Sequence, residues 1–181
     1  MDKNQQLKDI NKRLAAKFRG KKLLLPKGNL NAAIMVVNEF PTPEEVHKDQ
    51  PLSGAHGKIF NEQLRTLGLS RRQLYITHAV KFAPELPNTP PTPKEVKQSS
   101  QFLREEIKLI QPKLIVALGN VSLRGLSVKL PLSNIRGKII RFGVNTLFAT
   151  HHPANAIKDT LVLAELQKDF NQLPPTLATL A

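Results

Sequence analysis

Four short apolar runs punctuate the chain: Ala32 to Val37, Leu74 to Thr77, Leu114 to Gly119 and Val144 to Ala149. Each has strand length, is rich in β-branched residues and carries no charge, the pattern of strands covered on both faces. Between them apolar positions recur at spacings of three and four, which predicts helices. Leu7, Ile10, Leu14 and Phe18 predict an amphipathic basic helix over Asp2 to Arg19, within a basic N-terminal region of residues 1–22. Lys58 to Leu67 reads as a second helix with Gly68 as C-cap, Lys94 to Ile110 as a third stopped by Pro112, and Ile157 to Phe170 as a closing one. A short helix starts at Val121. Leu23 to Pro26 reads as a connector, the segment from Pro41 through Gly54 and Gly57 as a polar loop, and Pro84 to Pro93, with five prolines, as a surface excursion. The tail at 174–181 is expected to be flexible.

Strands alternating with helices over the whole length predict an α/β domain, a parallel sheet with helices on both faces. An all-helical bundle fits the runs less well, because they are short and bounded by Gly or Pro. At 181 residues with 40% hydrophobic content, one domain over 1–181 is expected.

Charge changes the picture more than composition does. Lys and Arg number 27 against 14 Asp and Glu, a net charge of +13, which points to a polyanionic partner and to nucleic acid first. No apolar run approaches the roughly 18 residues that span a bilayer, and no signal-peptide pattern opens the chain, so a soluble, cytoplasmic protein of bacterial or phage origin is expected. With zero cysteines, disulfides, thiolate zinc sites and cysteine-held iron-sulfur clusters drop out, and no cofactor is expected. Zero Trp and one Tyr leave 8 Phe as base-stacking platforms.

In such a sheet the C-terminal strand ends form the ligand-binding edge. They carry Asn38 and Glu39, then His78, then Gly119 and Asn120, then His151 and His152 of Thr-His-His-Pro-Ala-Asn. A carboxylate and imidazoles facing one another across a basic cleft suit hydrolysis: the carboxylate orients water or stabilises positive charge, and the histidine binds a developing anion. A metal site is disfavoured, because adjacent histidines on an extended segment point to opposite sides and no His-x-His or His-x-x-x-His pair occurs. Gly54-Ala55-His56-Gly57 reads either as a phosphate-binding turn or as a turn that starts a helix.

These segments together resemble the uracil-DNA glycosylase superfamily, and most of all its iron-sulfur family 4 type. Asn38-Glu39-Phe40-Pro41-Thr42 is similar to the Gly-Glu-Ala/Gly-Pro-Gly motif, Pro51-Leu52-Ser53-Gly54-Ala55-His56-Gly57 to Pro-Phe-Val-Gly-x-x-Gly, Tyr75 to Lys81 to Tyr-Ile-Thr-Asn-x-Val-Lys, and His152-Pro153-Ala154 to His-Pro-Ser/Ala. Thr89 to Val96, Pro112 to Gly119 and Arg136-Gly137 keep the order, over about Leu25 to Phe170. The resemblance implies a three-layer α/β/α sandwich around a four-stranded parallel sheet. It also implies flipping of a uracil or related deaminated base out of DNA and hydrolysis of its N-glycosidic bond in base excision repair. His152 would hydrogen-bond the leaving uracil oxygen, and Glu39 would position water and stabilise the sugar cation.

Departures fall on the recognising positions. The residues matching the last two cluster cysteines are Phe82 and Ser99, which implies a region held by packing alone. Leu52 stands for the uracil-stacking Phe, His78 for the uracil-reading Asn, and Asn38 and Phe40 for small residues, so the base pocket reads Asn38, Phe40, Leu52 and His78. Expected DNA contacts are Lys81, Arg136, Lys138 and Lys158 with backbone N–H groups at Ser53 and Gly54; Asn155 and Ile157 sit where related enzymes carry a duplex-wedging loop. Three activities fit: a glycosylase with shifted base preference; a DNA-binding replication accessory that cleaves nothing; or an enzyme of modified-base metabolism. The expected partners are single- or double-stranded DNA and replication or repair proteins, the expected state a monomer.

Overall fold

The computed structural model describes residues 2–86, 89–174 and 177. It opens with helix α1 (Lys3–Lys17), whose start is fixed by the Asp2 side chain accepting the Gln5 N–H. The sheet strands are β1 (Lys27–Gly28), β2 (Ile34–Asn38), β3 (Leu74–His78), β4 (Leu114–Leu118), β5 (Ile139–Phe142) and β6 (Asn145–Thr150). The helices between them are α2 (Pro43–Lys48), α3 (Gly54–Thr66), α4 (Pro93–Ile110), α5 (Asn120–Gly125) and α6 (Leu132–Ile135). Helices α7 (Pro153–Lys158) and α8 (Thr160–Phe170) follow the last strand.

The strand order is β1-β3-β2-β4-β6-β5. The inner four, β3-β2-β4-β6, are parallel as expected; β1 and β5 add antiparallel edges, so among the described residues the sheet has six strands, four of them the expected parallel set. Both edges escape a search for apolar runs because β1 is two residues long and β5 alternates between exposed and half-buried positions. Val144, taken as a strand start, is fully exposed at the β5–β6 hairpin beside Gly143.

Within the parallel strands, side-chain alternation deals residues to two cores. Met35, Val37, Tyr75, Ile115, Ala117, Leu147 and Ala149 meet Leu14, Phe18, Phe102 and Leu103 from α1 and α4. Ile34, Val36, Leu74, Ile76, Leu114, Val116, Leu118 and Phe148 meet Phe60, Leu64, Leu166 and Phe170 from α3 and α8. Helices therefore cover both faces, the expected three layers. Helix α4 is framed by a capping box between Thr92 and Glu95, Pro93 in its first turn, and Gln111 in the left-handed conformation ahead of Pro112.

Three local expectations change. Residues 43–48 of the supposed loop form α2, and α3 begins at Gly54 rather than Lys58, so Gly54-Ala55-His56-Gly57 is the turn that starts a helix. The closing helix is two, because Asp159 leaves the helical conformation and caps α8 by accepting the Leu161 and Val162 N–H groups. The tail lies largely outside the described residues, and Leu177 packs against the second core.

Candidate active site

Asn38 closes β2 and is fully buried; its parallel register partner is His78, the last residue of β3. Glu39 follows and turns toward β4, where its Oε1 accepts the Val121 N–H at 2.9 Å, in the first turn of α5. Gly119 makes this possible: its φ is +88°, and a Cβ there would lie 2.4 Å from Glu39 Oε1. Burial raises the pKa of the Glu39 carboxyl, against the Val121 hydrogen bond and the charge of Arg124.

His152 stands at the end of the stretch after β6 as the N-cap of α7, its Nδ1 accepting the Ala154 N–H at 3.1 Å. That fixes the tautomer: Nε2 carries the hydrogen and donates it to Asn38 Oδ1 at 2.6 Å. Burial pushes the His152 pKa down to about 3, with help from His56, so the ring is a neutral donor near pH 7. His151 points elsewhere, its Nε2 at 2.6 Å from Glu165.

Behind this front row lies a group that the strand-end pattern did not show. Glu45 of α2 is fully buried; one carboxylate oxygen accepts the Thr42 N–H in a capping box and the other accepts the Leu52 N–H. Two imidazoles approach the second oxygen, His56 Nε2 at 3.4 Å and His78 Nε2 at 3.9 Å. Burial opposes the charge on Glu45, but the histidines and backbone N–H groups outweigh it and hold the carboxyl well below its ordinary range. Burial likewise lowers the pKa of His78, which keeps the ring neutral. The His56 ring lies 5.7 Å from that of His152, which joins the group to the front row. Glu45 lies in the segment read as a polar loop, and packing gives it two roles, in the capping box of α2 and beside the histidines.

Among the described residues no set of three or more His, Cys, Asp and Glu side chains is arranged to hold a metal ion. The site is a carboxyl at the end of β2 and a neutral imidazole donor after β6, with β4 between the two strands, backed by the buried Glu45 carboxylate and two further histidines.

Residues 25–173 match the family model for the Uracil DNA glycosylase superfamily. The chain belongs to that superfamily. It is 32% identical over 155 residues to a Type-4 uracil-DNA glycosylase of Archaeoglobus fulgidus, covering 81% of this chain and 77% of the relative. A Type-4 uracil-DNA glycosylase of Thermotoga maritima is also 32% identical over 155 residues, covering 81% and 80%. A DNA polymerase of Bacillus phage SP01 is 32% identical over 133 residues, which cover 73% of this chain and 14% of the polymerase.

Superfamily membership sharpens the reading of the departures. Leu52, at the stacking position, is buried with a φ of +51° and belongs to the α3–α8 core, its backbone held by Arg71, which donates to the Pro51 and Leu52 carbonyls. It is packing, with 1% of its surface exposed, rather than an open stacking face. Phe40 is half-buried against the other core. At the positions of the family's cluster cysteines, Phe82 packs on Phe18 with ring centroids 5.0 Å apart, Phe18 contacts Phe102 at 6.2 Å, and Ser99 is fully buried nearby on α4. Side chains fill that corner.

Among the expected DNA contacts, Lys81 is a correction. It is fully buried, with Nζ 3.1 Å from Glu106, 2.8 Å from Thr77 Oγ1 and 2.6 Å from the His78 carbonyl. A charge so placed cannot reach a phosphate; it offsets Glu106, a carboxylate set on the apolar face of α4. Arg136 is committed to Asp169 at 2.7 Å and Glu165 at 3.1 Å, fastening the segment before β5 to α8. Lys138, Asn155, Ile157 and Lys158 are exposed, and Ser53 and Gly54 open α3.

Proposed function

We propose that this chain is a DNA glycosylase of base excision repair, which accepts a flipped-out deaminated base such as uracil and hydrolyses its N-glycosidic bond. One observation supports the reading: Glu39 and His152 both stand at the C-terminal edge of the parallel strands, the first a buried carboxyl accepting the Val121 N–H and the second a neutral imidazole donating to Asn38. As the C1′–N bond breaks, its electron pair leaves with the base and the sugar becomes cation-like. The neutral Nε2–H of His152 exchanges Asn38 Oδ1 for the base oxygen that gains negative charge. Glu39 faces the sugar, stabilises the cation, orients the water whose oxygen bonds C1′, and takes the water proton. The +13 charge draws DNA to the site, with Lys138 and Lys158 against phosphates, N–H groups of Ser53 and Gly54 on the flipped strand, and Ile157, exposed on helix α7 with Asn155, at the gap left by the base.

A second reading, DNA binding without cleavage in the service of replication, is favoured by the likeness to a phage DNA polymerase. Incubation with uracil-, hypoxanthine- and xanthine-containing oligonucleotides, followed by alkaline cleavage at abasic sites, separates the two. Cleavage that falls by about 10²- to 10³-fold in His152→Ala, and comparably in Glu39→Ala, supports the glycosylase. Intact oligonucleotides with tight binding leave the accessory role.

A further inference from the structure

The free protein leaves two buried polar groups without partners, side by side. Asn38 and His78 are register partners on adjacent parallel strands, so their side chains stand on the same face about 4.8 Å apart. Both are fully buried. Asn38 Oδ1 is taken by His152, while its Nδ2 has no partner; His78 has none at either ring nitrogen. Buried polar groups are almost always satisfied, so such a pair calls for a ligand.

The polarity of the pair follows from what lies behind it. His78 Nε2 faces the Glu45 carboxylate at 3.9 Å, and that charge favours a hydrogen on Nε2 over a lone pair. The opposite tautomer would aim a lone pair at the carboxylate and bury an unpaired N–H at Nδ1. His56, on the same carboxylate oxygen at 3.4 Å, and the Thr42 and Leu52 N–H groups keep Glu45 in place and charged. Nδ1 of His78 is thereby an acceptor, and Nδ2 of Asn38, its oxygen engaged by His152, is a donor.

We propose that Glu45 and His56 are positioning residues that set the His78 tautomer, and that this gives Asn38 Nδ2 and His78 Nδ1 the polarity complementary to the lactam edge of a flipped base. A lactam edge offers a carbonyl beside an imino N–H, and uracil, hypoxanthine and xanthine all carry it. Cytosine and adenine present the reversed polarity, an amino group beside a bare ring nitrogen, and meet donor with donor and acceptor with acceptor. Guanine shares the lactam edge but is held in the duplex by its normal pairing, which a mispaired deaminated base lacks. The device rests on the glycosylase reading for its setting, and it supplies the hydrogen-bond polarity by which deaminated bases are told from cytosine and adenine.

The test has two independent parts. Nitrogen NMR of protein labelled in its histidine rings should show His78 as a single Nε2–H tautomer, and Glu45→Gln, which removes the charge and keeps an acceptor for one of the two backbone N–H groups, should turn it into a mixture. An Nδ1–H tautomer in the unaltered protein, or no change in Glu45→Gln, overturns the proposal. Binding is then measured with Glu39→Gln, to prevent turnover, on duplexes carrying uracil, hypoxanthine or cytosine at one mispaired site. Kd values within threefold for uracil and hypoxanthine, and at least tenfold weaker for cytosine, support it; cytosine bound as tightly as uracil overturns it. Neither part depends on cleavage. Discrimination retained in a protein that cleaves nothing would remove the glycosylase and leave the reader in place.

Discussion

His152 and Asn38 lie 114 residues apart and share a hydrogen bond of 2.6 Å, imidazole Nε2–H to amide Oδ1, with both side chains buried. Burial keeps the imidazole neutral and the amide holds it turned; in the proposed reaction the amide yields that hydrogen to the arriving base. Asn38→Asp replaces a neutral acceptor with a charge, so the folded pKa of His152 should rise from about 3 toward or beyond the ordinary 6.5. Nitrogen or proton NMR titration of His152 reads this directly. Cleavage should fall by about 10²-fold, because the ion pair withholds the donor from the leaving base.

Acid should destabilise the fold well above the range of ordinary carboxylates. His152 is held neutral down to about pH 3 when folded but titrates near 6.5 when unfolded, so the unfolded chain binds the proton first as pH falls. The associated stability is complete above about 6.5 and is lost progressively toward 3. Between pH 7 and 5 this one group should withdraw about 2 kcal/mol. His78, its pKa also lowered, acts in the same direction. The depressed Glu45 carboxyl adds a further loss at lower pH, as acid begins to protonate it in the unfolded chain. Urea midpoints at pH 7, 6 and 5 test the trend, and His152→Gln should flatten it.

The acidic limb of the cleavage rate should report Glu39, not His152. Burial raises the Glu39 carboxyl above 4.5 and Arg124 partly restrains the rise, so Arg124→Ala should move the limb to higher pH. A pH profile under single-turnover conditions measures this. A limb that stays in place on removal of Arg124 would assign it to another group.

Lys81→Ala should cost about 3 to 5 kcal/mol in urea unfolding, because it strands Glu106 in the core. Lys81→Met combined with Glu106→Leu should recover most of that loss. DNA affinity of the folded double variant should keep the salt dependence of the unaltered protein, since the charge never faced solvent.

Lys138→Ala and Lys158→Ala should each lower the slope of log affinity against log salt by about 0.9 on duplex DNA. Filter binding across a salt series checks this. Arg136→Ala should act on stability instead, through the lost pairs with Asp169 and Glu165.

Much of this was legible before any coordinates. The parallel strands β2, β3 and β4 are announced by apolar runs because both of their faces are covered, and the strand ends then place Asn38, Glu39, His78 and His152 on one edge. The edges β1 and β5 were illegible, since strands with one wet face and few residues leave no run. Glu45 and His56 were illegible for another reason: they arrive from α2 and α3, and only the packing of those helices brings both to His78. Lys81 misled because one lysine among 27 basic residues looks like the rest. A clue existed in Glu106, which falls on the same helical face as Phe102, Leu103, Leu109 and Ile110 and therefore needs a buried cation.

Gly119 carries no chemistry, yet its missing side chain is the seat of the Glu39 carboxylate. Every coding change at that position adds carbon where an oxygen already sits. In a saturation screen selected for repair, position 119 should tolerate as little as position 39, and a survey of inactivating mutations would find a hot position whose wild-type residue never touches the substrate.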